Sequence, residues 1–91
     1  MSAKRKFTTE EARRIGDALG VNWTEVRLEE FRAGLAVELE HGTRDPETNV
    51  TNDDEIVTGK IALAHLREFA DYYTRLEQLE EEAEKYWAGK R

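Results

Sequence analysis

Glu38 with His41, and His65 with Glu68, are the two pairs in this 91-residue chain whose types and spacing could do chemistry. Members of each pair stand three apart, so on a helix they share one face. Imidazole and carboxylate together bind divalent ions, and Glu-x-x-His elements build di-metal centres in helical proteins. A divalent-metal-binding helical protein using Glu38, His41, His65 and Glu68 is therefore one reading. Geometry weighs against a single shared ion. In a simple antiparallel hairpin His41 would sit beside the start of the next helix, and His65 lies ten residues further on, or ~15 Å away. A second grouping sets Glu38 and His41 against Asp53 and Asp54 at the mouth of a loop. The two aspartates, however, have a sufficient role at a helix start and His41 at a helix end. For His65 the ordinary role is an imidazole hydrogen-bonded to a tyrosine, a carboxylate or a backbone carbonyl.

Other chemistries find less support. There is no cysteine, which removes a thiol nucleophile, a thiolate metal site and a disulfide framework. Ser2 is the sole serine, and Thr58-Gly59-Lys60 lacks the upstream glycine and preceding strand of a phosphate loop. Asp45, Glu47, Asn49, Thr51 and Asp53 alternate like calcium ligands. Counting from Asp45, though, Val50 occupies the glycine position and Ile56 that of the bidentate glutamate. The expectation is a protein that is not an enzyme and needs no cofactor.

The elements that must position these residues are helical. Thr8 and Glu11 form a capping box ahead of Ala12, Ile15 and Leu19, and Gly20 supplies the stop. Asn22 to Val26 reads as a short helical turn whose Trp23 plugs the end of the core. Leu28, Phe31, Leu35 and Leu39 recur at helical spacing, and His41-Gly42 closes that second helix. Residues 43–55 hold the only proline and a run of Asp, Asn and Thr, which marks a loop. Thr51, Asn52 or Asp53 is the expected cap of a third helix. That helix has Ile56, Gly59, Ala62, Leu63, Leu66 and Phe69 on one face, with Val57, Ile61, Ala64 and His65 on the other. Two apolar faces predict a central helix, and its small residues admit close neighbours. Tyr72, Leu76, Leu79, Ala83 and Tyr86 alternate by four and three along a fourth helix that Gly89 ends. The expected architecture is an all-α, single-domain bundle of about four helices over residues 7–88, with a flexible basic arm at 1–6 and a frayed end at 89–91.

Charge limits the partners. Twenty acidic against 14 basic residues give a net charge of −6, which disfavours direct nucleic-acid binding. No apolar run approaches the ~20 residues of a bilayer span. A cytoplasmic protein without membrane contact is expected.

At "ELEHG", "TNVTNDD", "TGKIALAHL" and "DYYTRL" the sequence resembles a small family of bacterial and phage proteins described as a domain of unknown function. The resemblance covers Phe7 to Ala83 and implies a compact helical protein with no assigned reaction. The function expected from the residues is a non-catalytic interaction or accessory role toward an unidentified protein partner, with homo-oligomerisation through the last helix as a further possibility. An acidic decoy of a nucleic-acid-binding protein is the remaining alternative, suggested by the Glu-rich last helix.

Overall fold

The computed structural model describes residues 6–90. The expected arm falls outside the described residues except for Lys6. Four α-helices follow in order: α1 (Thr9–Leu19), α2 (Leu28–Glu38), α3 (Glu55–Glu68) and α4 (Tyr72–Ala88). A 3-10 turn, Leu39–His41, extends α2. The described residues include no strand, and no helix among them is long and apolar enough to cross a membrane. The all-α expectation is met.

Local chemistry sets most helix ends. Thr8 Oγ1 accepts the Glu11 N–H at 3.1 Å and Glu11 returns the bond to the Thr8 N–H at 2.9 Å, completing the capping box. Gly20, at φ 75°, closes α1 in the left-handed conformation that a glycine adopts without penalty. Residues 21–27 form a turn rather than a helix, held by the Asn22 side chain and carbonyl. Trp23 plugs that end as expected. Its Nε1 donates to Asp17 at 2.8 Å and its ring meets Phe31 edge-on. The α3 cap is Asp54, not Thr51, Asn52 or Asp53. Asp54 Oδ1 accepts from the N–H groups of Ile56 and Val57, both at 2.9 Å. Asp53 instead reaches back to the Thr43 N–H and hydroxyl, closing the loop on itself. Asn52 and Asp53 take φ of 53° and 63°, a region where short polar side chains are tolerated best after glycine.

Phe7, Ile15, Phe31 and Leu35 are the large buried apolar side chains at the centre, each worth roughly 1.5–3 kcal/mol of transfer free energy. Only one strip of α3 is fully buried: Thr58, Gly59, Ala62 and Leu66. On the second apolar face expected of α3, Val57 and Ala64 are exposed and Ile61 and His65 half-buried, so that face is only partly covered; on the first face the end residues Ile56 and Phe69 are exposed as well. Nor does α3 hold the centre alone. α2 and α3 form the closest pair and each also packs on both α1 and α4. Contacts between the two run opposite to a hairpin's order, Phe31 lying against Gly59 and Glu38 against His65.

Between α3 and α4 the chain breaks at Phe69–Asp71, where Phe69 leaves the helical region at φ −149°. Asp71 provides no side-chain cap to α4. Glu30 of α2 does so across the bundle, accepting from the Thr74 hydroxyl at 2.7 Å and the Thr74 N–H at 3.4 Å. Only the first turn and a half of α4 is packed. Tyr73 is buried, Tyr72 and Leu76 are half-buried, and every residue from Glu77 to Ala88 is exposed. Those 12 residues project by roughly 18 Å at 1.5 Å each, which accounts for the 44 Å long axis against 28 and 21 Å. The seam expected to be core along α4 therefore stops at Leu76. Past Ala88, Gly89 and Lys90 remain bonded to the last turn through Lys85 and Trp87 carbonyls.

Candidate functional site

Glu38 ends α2 in the interior, and its side chain is 5% exposed. A carboxylate taken from water must be compensated by donors. Two are supplied. Tyr73 of α4 donates its hydroxyl to Glu38 Oε2 at 2.7 Å, and His65 of α3 places Nδ1 2.9 Å from the same oxygen. One oxygen thus joins three helices. Among the described residues no buried side-chain polar atom lacks a partner.

With Glu38 ionised, the arrangement sets the ring's protonation pattern. An ionised carboxylate only accepts, so the proton between His65 and Glu38 belongs to Nδ1. The Tyr73 hydroxyl spends its own proton on Glu38, and its oxygen lies 3.1 Å from Nδ1 as a secondary acceptor. In the neutral ring Nε2 is then the bare nitrogen. Tyr72 stacks on the imidazole with centroids 4.5 Å apart and planes at 6°, fixing its plane. Among the described residues no protein group bonds Nε2, and the His65 side chain is 30% exposed.

The ring borders a cleft of about 450 Å³ lined by Val37, Glu38, Glu40, His41, His65, Tyr72, Leu76 and Glu80. Nδ1 is tied inward, so the Nε2 edge is the one left for the cleft. Glu40 is held by Arg44 at 3.0 Å, whereas Glu80 makes no bond to protein among the described residues. The cleft therefore offers an oriented lone pair, the unpaired Glu80 carboxylate beside those of Glu38 and Glu40, and an apolar wall from Val37 and Leu76. Orientation of imidazole through Nδ1 is also the arrangement of a general base. The lining residues, however, include no serine, threonine or cysteine to activate.

Of the sequence-selected residues, Glu38 and His65 meet directly. The ~15 Å separation expected of a hairpin does not apply, because the helices are not in hairpin order. His41 is exposed on the rim of the same cleft, and its carbonyl accepts from Val50 and Thr51, anchoring the loop. Glu68 is exposed at the end of α3 and does not border the cleft. Asp53 and Asp54 are occupied with Thr43 and the α3 start, apart from Glu38. Among the described residues no group of three or more His, Asp or Glu side chains is placed to hold a metal ion. The alternating oxygens of the loop serve as turn caps, Asp45 for Glu47, Asn49 for Asn52 and Thr51 for Asp53.

Tyr73 is the participant that sequence periodicity misses. The four-three seam selects Tyr72, yet Tyr73 is the buried neighbour, and its ring fills the space left by the missing side chain of Gly34. Burial first, then the hydrogen bond and charge of Glu38, push the Tyr73 phenol well above its ordinary value of 10.0. The sign follows from linkage. The folded state keeps the proton that the unfolded chain releases near pH 10, so this stabilisation is full below pH ~10 and is lost as pH rises further. Urea midpoints measured from about pH 8.5 to 11 should decline more steeply for the wild type than for Tyr73→Phe. The difference in slope approaches one proton, about 1.4 kcal/mol per pH unit. Equal slopes would mean that the phenol is not held protonated.

The chain matches no curated protein and no solved structure. A family model described as a protein of unknown function, DUF5661, matches residues 12–82. That span holds all four helices' packed portions and every member of the Glu38–His65–Tyr73 cluster. The chain belongs to the DUF5661 family.

Proposed function

We propose that the protein is a non-catalytic interaction protein that presents the projecting half of α4 to a partner carrying basic residues around an apolar helix face. The observation that carries this reading is the exposure of Leu79, Tyr86 and Trp87, at 59, 57 and 53%, on a helix that has left the bundle. Leu76, Leu79, Ala83 and Tyr86 keep the three-four spacing of a helix-pairing seam. Contiguous exposed apolar residues with polar flanks are a mark of interaction surfaces.

Charge selects the partner. Residues 77–88 contain Glu77, Glu80, Glu81, Glu82 and Glu84 against Lys85 alone. Glu77 with Glu81, and Glu80 with Glu84, stand one turn apart and repel, which an approaching cation relieves. A second copy of α4 would double that repulsion, so self-association is disfavoured against a basic helix. Sequestering a nucleic-acid-binding protein through its basic surface is one form of the same chemistry.

A labelled helical peptide with leucines at heptad seam positions and flanking lysines provides the test, read by fluorescence anisotropy. Binding should weaken as ionic strength rises, because exposed charges are screened within about 10 Å at 0.1 M salt. Leu79→Asp combined with Trp87→Ala should weaken it at least tenfold while leaving the unfolding midpoint nearly unchanged, since neither side chain supports the core. No binding, or equal binding of a peptide with glutamates in place of lysines, would refute the proposal.

A further inference from the structure

The cleft beside His65 fits a ligand of definite chemistry. Beside the His41 ring and the Tyr72 hydroxyl, which can donate, the cleft holds two acceptors turned to a ligand: the Nε2 lone pair of the neutral His65 ring, fixed by Glu38 and Tyr73, and the Glu80 carboxylate, which has no bond to protein among the described residues. An anion would meet three carboxylates there, those of Glu38, Glu40 and Glu80, and find no lysine or arginine among the lining residues. The walls are apolar, formed by Val37, Leu76 and the ring of Tyr72. We infer that the cleft binds a primary alkylammonium group, the end of a lysine side chain, with its N–H donors on His65 Nε2 and Glu80 and its methylene stem along Val37, Leu76 and Tyr72.

An ammonium has three donors on a compact centre and a flexible four-carbon stem, which matches two acceptors beyond an apolar wall. Lysine stems commonly lie along apolar surface while the charged end finds polar company. The site is continuous with the projecting half of α4, since Leu76 and Glu80 belong to both. As the source of the lysine, the inference rests on the basic partner proposed above. The site itself is tested without that partner.

The test is a titration of the full chain with n-butylammonium at about pH 8.5, between the ordinary imidazole and lysine values. It is followed through the ¹⁵N shifts of the His65 ring by long-range proton–nitrogen correlation. Tetramethylammonium, which has the charge but no N–H donor, and n-butanol, which has the stem but no charge, are the controls. The expected result is a saturable shift of His65 Nε2 with n-butylammonium, at least tenfold weaker with either control. Glu80→Gln, an exposed change that leaves the core untouched, should weaken the amine roughly tenfold, the worth of one charge-assisted hydrogen bond. No saturable shift, or an equal response to tetramethylammonium, would overturn the inference. A peptide that binds while n-butylammonium does not would overturn this site alone. An amine that binds while the peptide does not would refute the docking reading and leave the site standing.

Discussion

Gly34→Ala should destabilise the protein by about 2 kcal/mol, although alanine is the better helix former by about 1 kcal/mol. A Cβ built on Gly34 would lie 2.5, 2.9 and 3.0 Å from three carbons of the Tyr73 ring. A phenol ring cannot bend away, and its hydroxyl is anchored on Glu38. Either the ring moves and breaks that bond inside the core, or α2 and α4 separate and lose packing. Gly59→Ala is the useful contrast. There the added carbon meets the tip of Leu19 at 2.8 Å and the γ-methyl branch of the buried Ile15 at 2.9 Å; Leu19 is only half-buried and can turn outward, leaving the Ile15 methyl as the one contact that must give by a few tenths of an ångström. Its cost should be smaller, about 1 kcal/mol. Urea unfolding of the two variants ranks them. A Gly34→Ala protein as stable as the wild type would mean that Tyr73 is not seated against α2.

Glu38→Leu should cost about 3 kcal/mol, in the range expected when the buried partner of polar groups is deleted. Leucine is close in volume, so the loss comes from polarity rather than from a cavity. The variant leaves the Tyr73 hydroxyl buried with only the imidazole nearby, and it leaves Nδ1 of His65 without its carboxylate. Glu38→Gln retains a carbonyl acceptor but not the charge, and should fall between the two. A double-mutant cycle of Glu38→Leu with Tyr73→Phe isolates the shared bond and should show coupling of about 1 kcal/mol or more. Additive effects would indicate that the two side chains do not act through one oxygen. A neutral Glu38→Leu would show that water from the adjoining cleft satisfies both donors unaided.

The sequence carries the helices almost completely, because their ends are written in local chemistry. Thr8, Glu11 and Gly20 each act within four residues of where they stand, and α1 appears as expected. Asp54 rather than Asp53 caps α3 for a reason that is not local: Thr43, ten residues back, takes both Asp53 oxygens. The same limit explains the apolar faces. Periodicity tells which side chains share a face of α3 or α4, and tertiary contact decides which face is covered. Leu79, Ala83 and Tyr86 have a core-like pattern and no core beside them.

The site was legible in kind and not in membership. His65 bonded to a carboxylate or a tyrosine is an ordinary expectation for an imidazole on an apolar helix, and the structure supplies one of each. Glu38 and His65 are 27 residues apart, however, and no spacing rule pairs them. Glu68, one turn from His65 and its natural companion by spacing, stays in water. The one sequence sign of Tyr73's role is Gly34. A glycine in mid-helix costs stability unless something fills its place, and the filler is identified only by the path of α4.

The most direct measurement is the tautomer of His65 at about pH 9, above the ordinary imidazole range. Long-range proton–nitrogen spectra should show Nδ1 protonated and Nε2 bare, with the Nδ1 signal moving in Glu38→Gln. A ring protonated at Nε2, with Nδ1 bare, would contradict the shared carboxylate and with it the oriented cleft.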